Sequence, residues 1–212
     1  FFGSGKSSFA KILGYTVANR KVGSTTASDL FKKNVNDPRL SDLLDSINLR
    51  IPFEAIIFDV SMDHGVRTEN ERLTQILYKA LLRELKYSTD FDLAELEFTL
   101  EGDGKLEEFE ALFEETHGSP WRIRRQLGLA INEASAVLHR MDPKTFSSPD
   151  SWAKSTANGR ADMDPNKLAK RAHELALRRA KGKALIIVID EVGQFVSRSV
   201  DTTVWVRNGQ VM

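Results

Sequence analysis

Phe1-Phe2-Gly3-Ser4-Gly5-Lys6-Ser7-Ser8 opens the chain, and Gly3, Gly5, Lys6 and Ser7 fit the tail of the phosphate-loop pattern G-x-x-x-x-G-K-[ST]. The spacing has a chemical reason. Glycines let consecutive backbone N–H groups turn toward one point, a concave anion nest at the start of a helix. A lysine at the position of Lys6 reaches β- and γ-phosphates, and a hydroxyl at Ser7 can take a coordination position on Mg²⁺. Gly3, Ser4, Gly5, Lys6, Ser7 and Ser8 are therefore the candidate nucleotide-binding residues, with ATP and Mg²⁺ as the expected ligands. The pattern's first glycine would stand one position before Phe1, so the chain is expected to be a fragment whose first strand is missing.

A second motif bears on the same chemistry. Ala184-Leu185-Ile186-Ile187-Val188-Ile189-Asp190-Glu191 is an apolar run, rich in β-branched residues, that ends in two carboxylates. It predicts a strand of a parallel sheet, buried on both faces. Ligands of α/β sheets bind outside the carboxyl ends of the strands, where Asp190 and Glu191 stand. Neighbouring residues on a strand point to opposite sides, which predicts different tasks for the two acids. Asp190 is the candidate Mg²⁺ ligand, acting through water, together with Ser7. Glu191 is the candidate catalytic residue that orients and polarises the attacking water, with Lys6 on the phosphates. The plainer alternative is a strand that exits into a polar loop.

Composition narrows the setting. Lys+Arg and Asp+Glu balance at 30 each, so no global field recruits nucleic acid or an anionic membrane. Cysteine is absent, which excludes disulfides and zinc–thiolate sites and suits a reducing cytoplasm, the expected location. No apolar stretch approaches the ~20 residues that span a bilayer. Local charge is uneven: residues 90–115 carry eleven acids against Lys105 alone, and residues 167–183 are basic apart from Glu174. Solvated helix faces that pair with one another explain this better than a dedicated interaction surface.

Along the chain, residues 7–20 read as the helix after the loop, with Phe9, Ile12, Leu13, Thr16 and Val17 as its sheet-facing stripe. Val22-Gly23-Ser24 breaks it, and residues 29–47 hold one or two short helices, with Asp37-Pro38 as a turn or helix start. Residues 53–60 form a second buried strand. Asp59, Asp63 and His64 stand at its end, better read as turn residues than as a metal site. Residues 68–87 follow as a helix with a Thr68/Glu71 capping box. Residues 91–146 predict three helical stretches broken at Gly102-Asp103-Gly104 and Gly118-Ser119-Pro120. Trp121-Arg122-Ile123-Arg124-Arg125 mixes aromatic and basic residues as nucleic-acid sites do, but one such cluster is better read as a packed helix start. Residues 147–164 predict a long loop or lid, and residues 165–180 a helix leading to the Asp190 strand. The expected fold is thus α/β, a parallel sheet flanked by helices. It is one domain over residues 1–212 with a mostly helical insertion at about 91–164.

With these residues in hand, the chain resembles the large P-loop ATPases of BREX bacteriophage-exclusion systems, the BrxC/PglY type. The likeness rests on Phe1-Phe2-Gly3-Ser4-Gly5-Lys6-Ser7-Ser8-Phe9-Ala10-Lys11, on Ile51-Pro52-Phe53 leading into Phe58-Asp59-Val60, and on Ile189-Asp190-Glu191-Val192-Gly193-Gln194-Phe195. It runs from Phe1 to about Val200 and stops before Thr202-Thr203-Val204-Trp205. The resemblance implies an AAA/STAND-like P-loop NTPase fold of the ASCE type and an ATPase in antiphage defence. Other BREX proteins would be its partners, with homo-oligomers possible and DNA contacted at most indirectly. It implies the nucleotide roles for Gly3, Gly5, Lys6, Ser7, Asp190 and Glu191; neither sensor strand nor arginine finger is recognised in the chain. Two other classes compete. An ATP-gated scaffold would bind nucleotide to assemble partners with little hydrolysis. A small-molecule kinase would need arginines over the phosphates, and residues 147–164 offer only Arg160.

Overall fold

The structure, a computed structural model, describes residues 5–59, 73–156 and 164–191. It is mixed α/β and mostly helical, and it divides into two compact units. One unit comprises Phe1–Ile76 with Ala176–Met212; the other is Leu77–Leu175. The insertion expected at 91–164 lies inside the second unit, which is wider at both ends.

In the first unit, helix α1 spans Lys6–Val17. A small hairpin follows, β1 (Lys21–Val22) with β2 (Thr25–Thr26), antiparallel across Gly23-Ser24. The sequence predicts only a break at Val22-Gly23-Ser24. Gly23 has φ 61°, the positive value that a two-residue hairpin turn with glycine at its first central position demands. Helix α2 (Ala27–Val35) is capped by the Thr26 hydroxyl, which accepts from Asp29 N. Helix α3 (Pro38–Arg50) starts at Asp37-Pro38: the carboxylate accepts from Arg39 N and Leu40 N, and proline fills the first turn, where no intrahelical donor is needed.

Strands β3 (Phe53–Asp59) and β4 (Ala184–Asp190) pair in parallel, in the register Phe53↔Ala184 through Asp59↔Asp190. Alternation puts Ala55, Ile57 and Asp59 on the same face as Ile186, Val188 and Asp190. Helix α1 covers that face through Gly14, where an added Cβ would lie 3.0 Å from Ile57 Cδ1 and 3.1 Å from Val188 Cγ2. Glycine there sets how closely the helix approaches the sheet.

Two expectations are corrected in this unit. Of the expected stripe Phe9, Ile12, Leu13, Thr16 and Val17, the first three do not lie on the sheet, being 62%, 48% and 43% exposed, whereas Thr16 is buried as expected, together with Gly14. The closest approach is made by the smallest residue, and that rotates the apolar stripe outward. Strand β4 is not buried on both faces among the described residues, since Ile187 and Ile189 remain exposed.

Helix α4 (Leu73–Glu84) carries the chain into the second unit; the expected Thr68/Glu71 cap lies outside the described residues. Helices α5 (Phe91–Gly102) and α6 (Leu106–His117) match the first two expected stretches. The third is broken into α7 (Trp121–Arg124) and α8 (Ala130–Met141), with Gly128 in the connection. Their core gathers Leu93, Phe109, Phe113, Trp121, Ala134, Val137 and Leu138. Trp121 meets Phe109 edge-on at 5.1 Å and Phe113 at 4.9 Å, pairs worth about 0.5–1.5 kcal/mol each beyond area burial.

The loop expected over 147–164 contains a helix, α9 (Ser151–Thr156). Trp152 packs on the core and Ala153 N donates to Ser135 Oγ at 3.1 Å, so tertiary contact overrides a polar, loop-like composition. Helix α10 (Pro165–Arg179) begins as α3 does, with Asp164 accepting from Asn166 N and Lys167 N ahead of a proline, and returns the chain to the first unit. Among the described residues no helix is long and apolar enough to cross a membrane.

Candidate functional site

Gly5 caps α1 in the left-handed conformation, φ 74° and ψ 4°, open to glycine at no steric cost. Its carbonyl accepts from Phe9 N at 2.8 Å, so the helix begins immediately after it. Lys6 and Ser8 are exposed in the first turn, and Ser7 is half-buried. The first N–H groups of any α-helix lack intrahelical partners and carry the positive end of the helix dipole. Gly3 and Ser4 lie outside the described residues.

The Ser7 hydroxyl donates to Asp190 Oδ1 at 2.8 Å, although 183 positions separate the two residues. This contact follows from three local causes. Ser7 lies on the same face of α1 as Gly14, two turns on. Gly14 lets that face settle onto Ile57 and Val188. Asp190, two residues beyond Val188, shares its side of β4 and so ends beneath the first turn of the helix.

Asp190 receives two further donors. Lys11 Nζ lies 3.2 Å from Oδ2, and Glu191 N donates to Oδ1 at 3.0 Å. Burial by itself pushes the Asp190 carboxyl up. The Ser7 hydroxyl, the Lys11 ammonium and the Glu191 N–H act against it, and the balance leaves the group below its ordinary value. It is thus held as a carboxylate at neutral pH.

Glu191 stands just past the strand with φ 58°, a left-handed conformation uncommon for a residue with a side chain. Strand β4 ends at Asp190, so its alternation does not extend to Glu191, which follows a sharp backbone turn. Of the Asp59, Asp63 and His64 group, Asp59 sits in register with Asp190, and the other two lie outside the described residues.

Two contributors were not singled out from sequence. Lys11 lies four residues from Ser7 and Gly14 seven, so both fall on its helix face. That spacing was the available signal.

The donors present fit Mg²⁺. It prefers hard oxygen ligands, keeps several waters, and is commonly held by one or two protein groups plus substrate phosphates. Ser7 Oγ and the Asp190 carboxylate are such oxygens, adjacent at a helix start. Among the described residues no group of three or more His, Cys, Asp or Glu forms an all-protein metal cage.

The aromatic-basic cluster resolves differently from a nucleic-acid surface. Trp121 is buried, and Arg122, Arg124 and Arg125 pair with Glu110, Glu133 and Glu97. The acidic and basic segments also meet, Arg171 binding Glu95 at 2.8 Å. No protein-family model matches the chain, and no solved structure matches it.

Proposed function

We propose that the chain is the ATP-binding and ATP-hydrolysing part of a P-loop NTPase of the AAA/STAND-like kind, acting in BREX-type antiphage defence in the cytoplasm. The observation that carries the nucleotide reading is the 2.8 Å contact between Ser7 Oγ and Asp190 Oδ1. It joins the two motifs whose residue types suit one metal–triphosphate, although they lie at opposite ends of the sequence. The defence setting rests on the resemblance of residues 1–11, 51–60 and 189–195 alone, and so do the other system proteins as partners.

In this scheme the Gly5 turn and the free N–H groups of α1 receive phosphate oxygens, and Lys6 pairs with the β- and γ-phosphates. Ser7 and, through water, Asp190 would hold Mg²⁺, which when bound neutralises charge on the β- and γ-phosphate oxygens. Glu191 orients a water for in-line attack on the γ-phosphorus and takes its proton as the bond to the ADP oxygen breaks. The test is single-turnover hydrolysis by the full-length protein and by its Glu191→Gln variant. The variant is expected to bind ATP normally and to hydrolyse it ~10²–10⁴-fold more slowly. Equal rates would remove Glu191 from the mechanism. Binding without hydrolysis in the unaltered full-length protein would favour a nucleotide-gated scaffold.

A further inference from the structure

Lys11 lies outside the phosphate-loop pattern, yet it reaches the metal-side carboxylate. Its ammonium sits 3.2 Å from Asp190 Oδ2, while Oδ1 is taken by Ser7 Oγ and Glu191 N. The lysine side chain is 37% exposed and the carboxylate 15%, so the pair is partly open to solvent rather than inside the core. Among the described residues Lys11 has no other ion-pair partner.

Resting on the nucleotide reading above, we propose that Lys11 is a built-in competitor of the divalent metal, a positioning residue that holds Asp190 closed until metal and triphosphate arrive together. The physical basis is direct. Asp190 carries one negative charge, and a cation on Oδ2 neutralises it. A second cation brought to the same carboxylate meets repulsion from the first and must share or displace it. The metal requirement of nucleotide binding is therefore set higher than Ser7 and Asp190 alone would set it. Free divalent metal, without the negative charge of the triphosphate, is disfavoured in particular.

The experiment measures binding. ATP is titrated calorimetrically into the full chain across a series of Mg²⁺ concentrations, and the Mg²⁺ midpoint for high-affinity binding is read for the unaltered protein, Lys11→Met, Lys11→Gln and Lys11→Arg. Removing a partly exposed ion pair predicts a midpoint lowered about two- to fivefold in Lys11→Met and Lys11→Gln. Lys11→Arg, which keeps the charge, is expected to stay at the unaltered value. A merely structural role for Lys11 does not lower the metal requirement. An unchanged or raised midpoint in the neutral variants, or an arginine variant that behaves like them, overturns the proposal and leaves the nucleotide reading standing. Failure of the unaltered chain to bind ATP at any Mg²⁺ concentration overturns both.

Discussion

Ser7 and Asp190 share a hydrogen bond of 2.8 Å across 183 positions of chain, and this one contact ties the start of α1 to the end of β4. It serves stability as well as the proposed chemistry, because the acceptor is a carboxylate with little exposure. Hydrogen bonds to charged groups contribute about 1.5–3 kcal/mol, and Asp190 keeps its Lys11 and Glu191 donors when Ser7 is cut back. Ser7→Ala is predicted to destabilise the first unit by about 1–2 kcal/mol. Ser7→Thr, which keeps the hydroxyl, should stay near the unaltered protein. Hydrogen exchange on β4 amides checks both, and an unprotected β4 in the unaltered protein would argue against the contact.

Gly14 sets the distance between helix and sheet. A Cβ there lies 3.0 Å from Ile57 Cδ1 and 3.1 Å from Val188 Cγ2, closer than ordinary packing. Gly14→Leu is predicted to cost about 1–3 kcal/mol by overpacking and to weaken the proposed nucleotide binding with it, since Gly5 caps α1 and Ser7 lies in its first turn. Gly14→Ala gains about 1 kcal/mol of helix propensity against a small clash with side-chain tips and should lie within about 1 kcal/mol of the parent. Urea unfolding of the two variants measures the difference.

Glu97 is a buried acid of the second unit, 1% exposed. It accepts from Trp121 Nε1 at 2.7 Å and Ser88 N at 2.8 Å, and it pairs with Arg125. Glu97→Ala removes the acceptor of Trp121 Nε1 and Ser88 N and the ion-pair partner of Arg125, which keeps its bond to the Lys86 carbonyl, and is predicted to cost about 3–5 kcal/mol, read as a lower urea midpoint. A loss below about 1 kcal/mol would mean the network contributes little.

Glu133 accepts two-pronged hydrogen bonds from Arg124, which first of all hold its carboxyl below the ordinary value of 4.5. A depressed folded-state pKa stabilises the protein above the unfolded value, and that stabilisation disappears as pH falls through the folded value. Glu133→Gln should therefore melt lower than the parent at neutral pH, and the two should converge in acid. Thermal melts from about pH 7 to about pH 3 test the sign.

Much of the architecture was legible because local chemistry and tertiary placement agree. Asp37-Pro38 starts α3, and the glycine breaks after α5 and α6 stand where expected. The β-branched runs at 53–59 and 184–190 became the parallel pair. What was missed depended on distant partners. Trp152 finds the core of the second unit and turns a polar stretch into α9. Phe9, Ile12 and Leu13 have helical periodicity, but the sheet is met by Gly14, whose lack of a side chain leaves no trace in a hydrophobic pattern. Ser7 and Asp190 could be named from their motifs. The Lys11 pairing was legible only through its spacing, four residues beyond Ser7 on the same face of α1, which brings it to the carboxylate that Ser7 meets.

The most direct measurement is calorimetric titration of ATP with Mg²⁺ into the full chain and into Lys6→Ala. Hydrogen bonds from the lysine to phosphate are worth ~1.5–3 kcal/mol, so the variant is predicted to bind roughly ten- to hundredfold more weakly than the parent. Equal affinities, or no binding by the parent, would contradict the convergence of Lys6, Ser7 and Asp190 on one triphosphate.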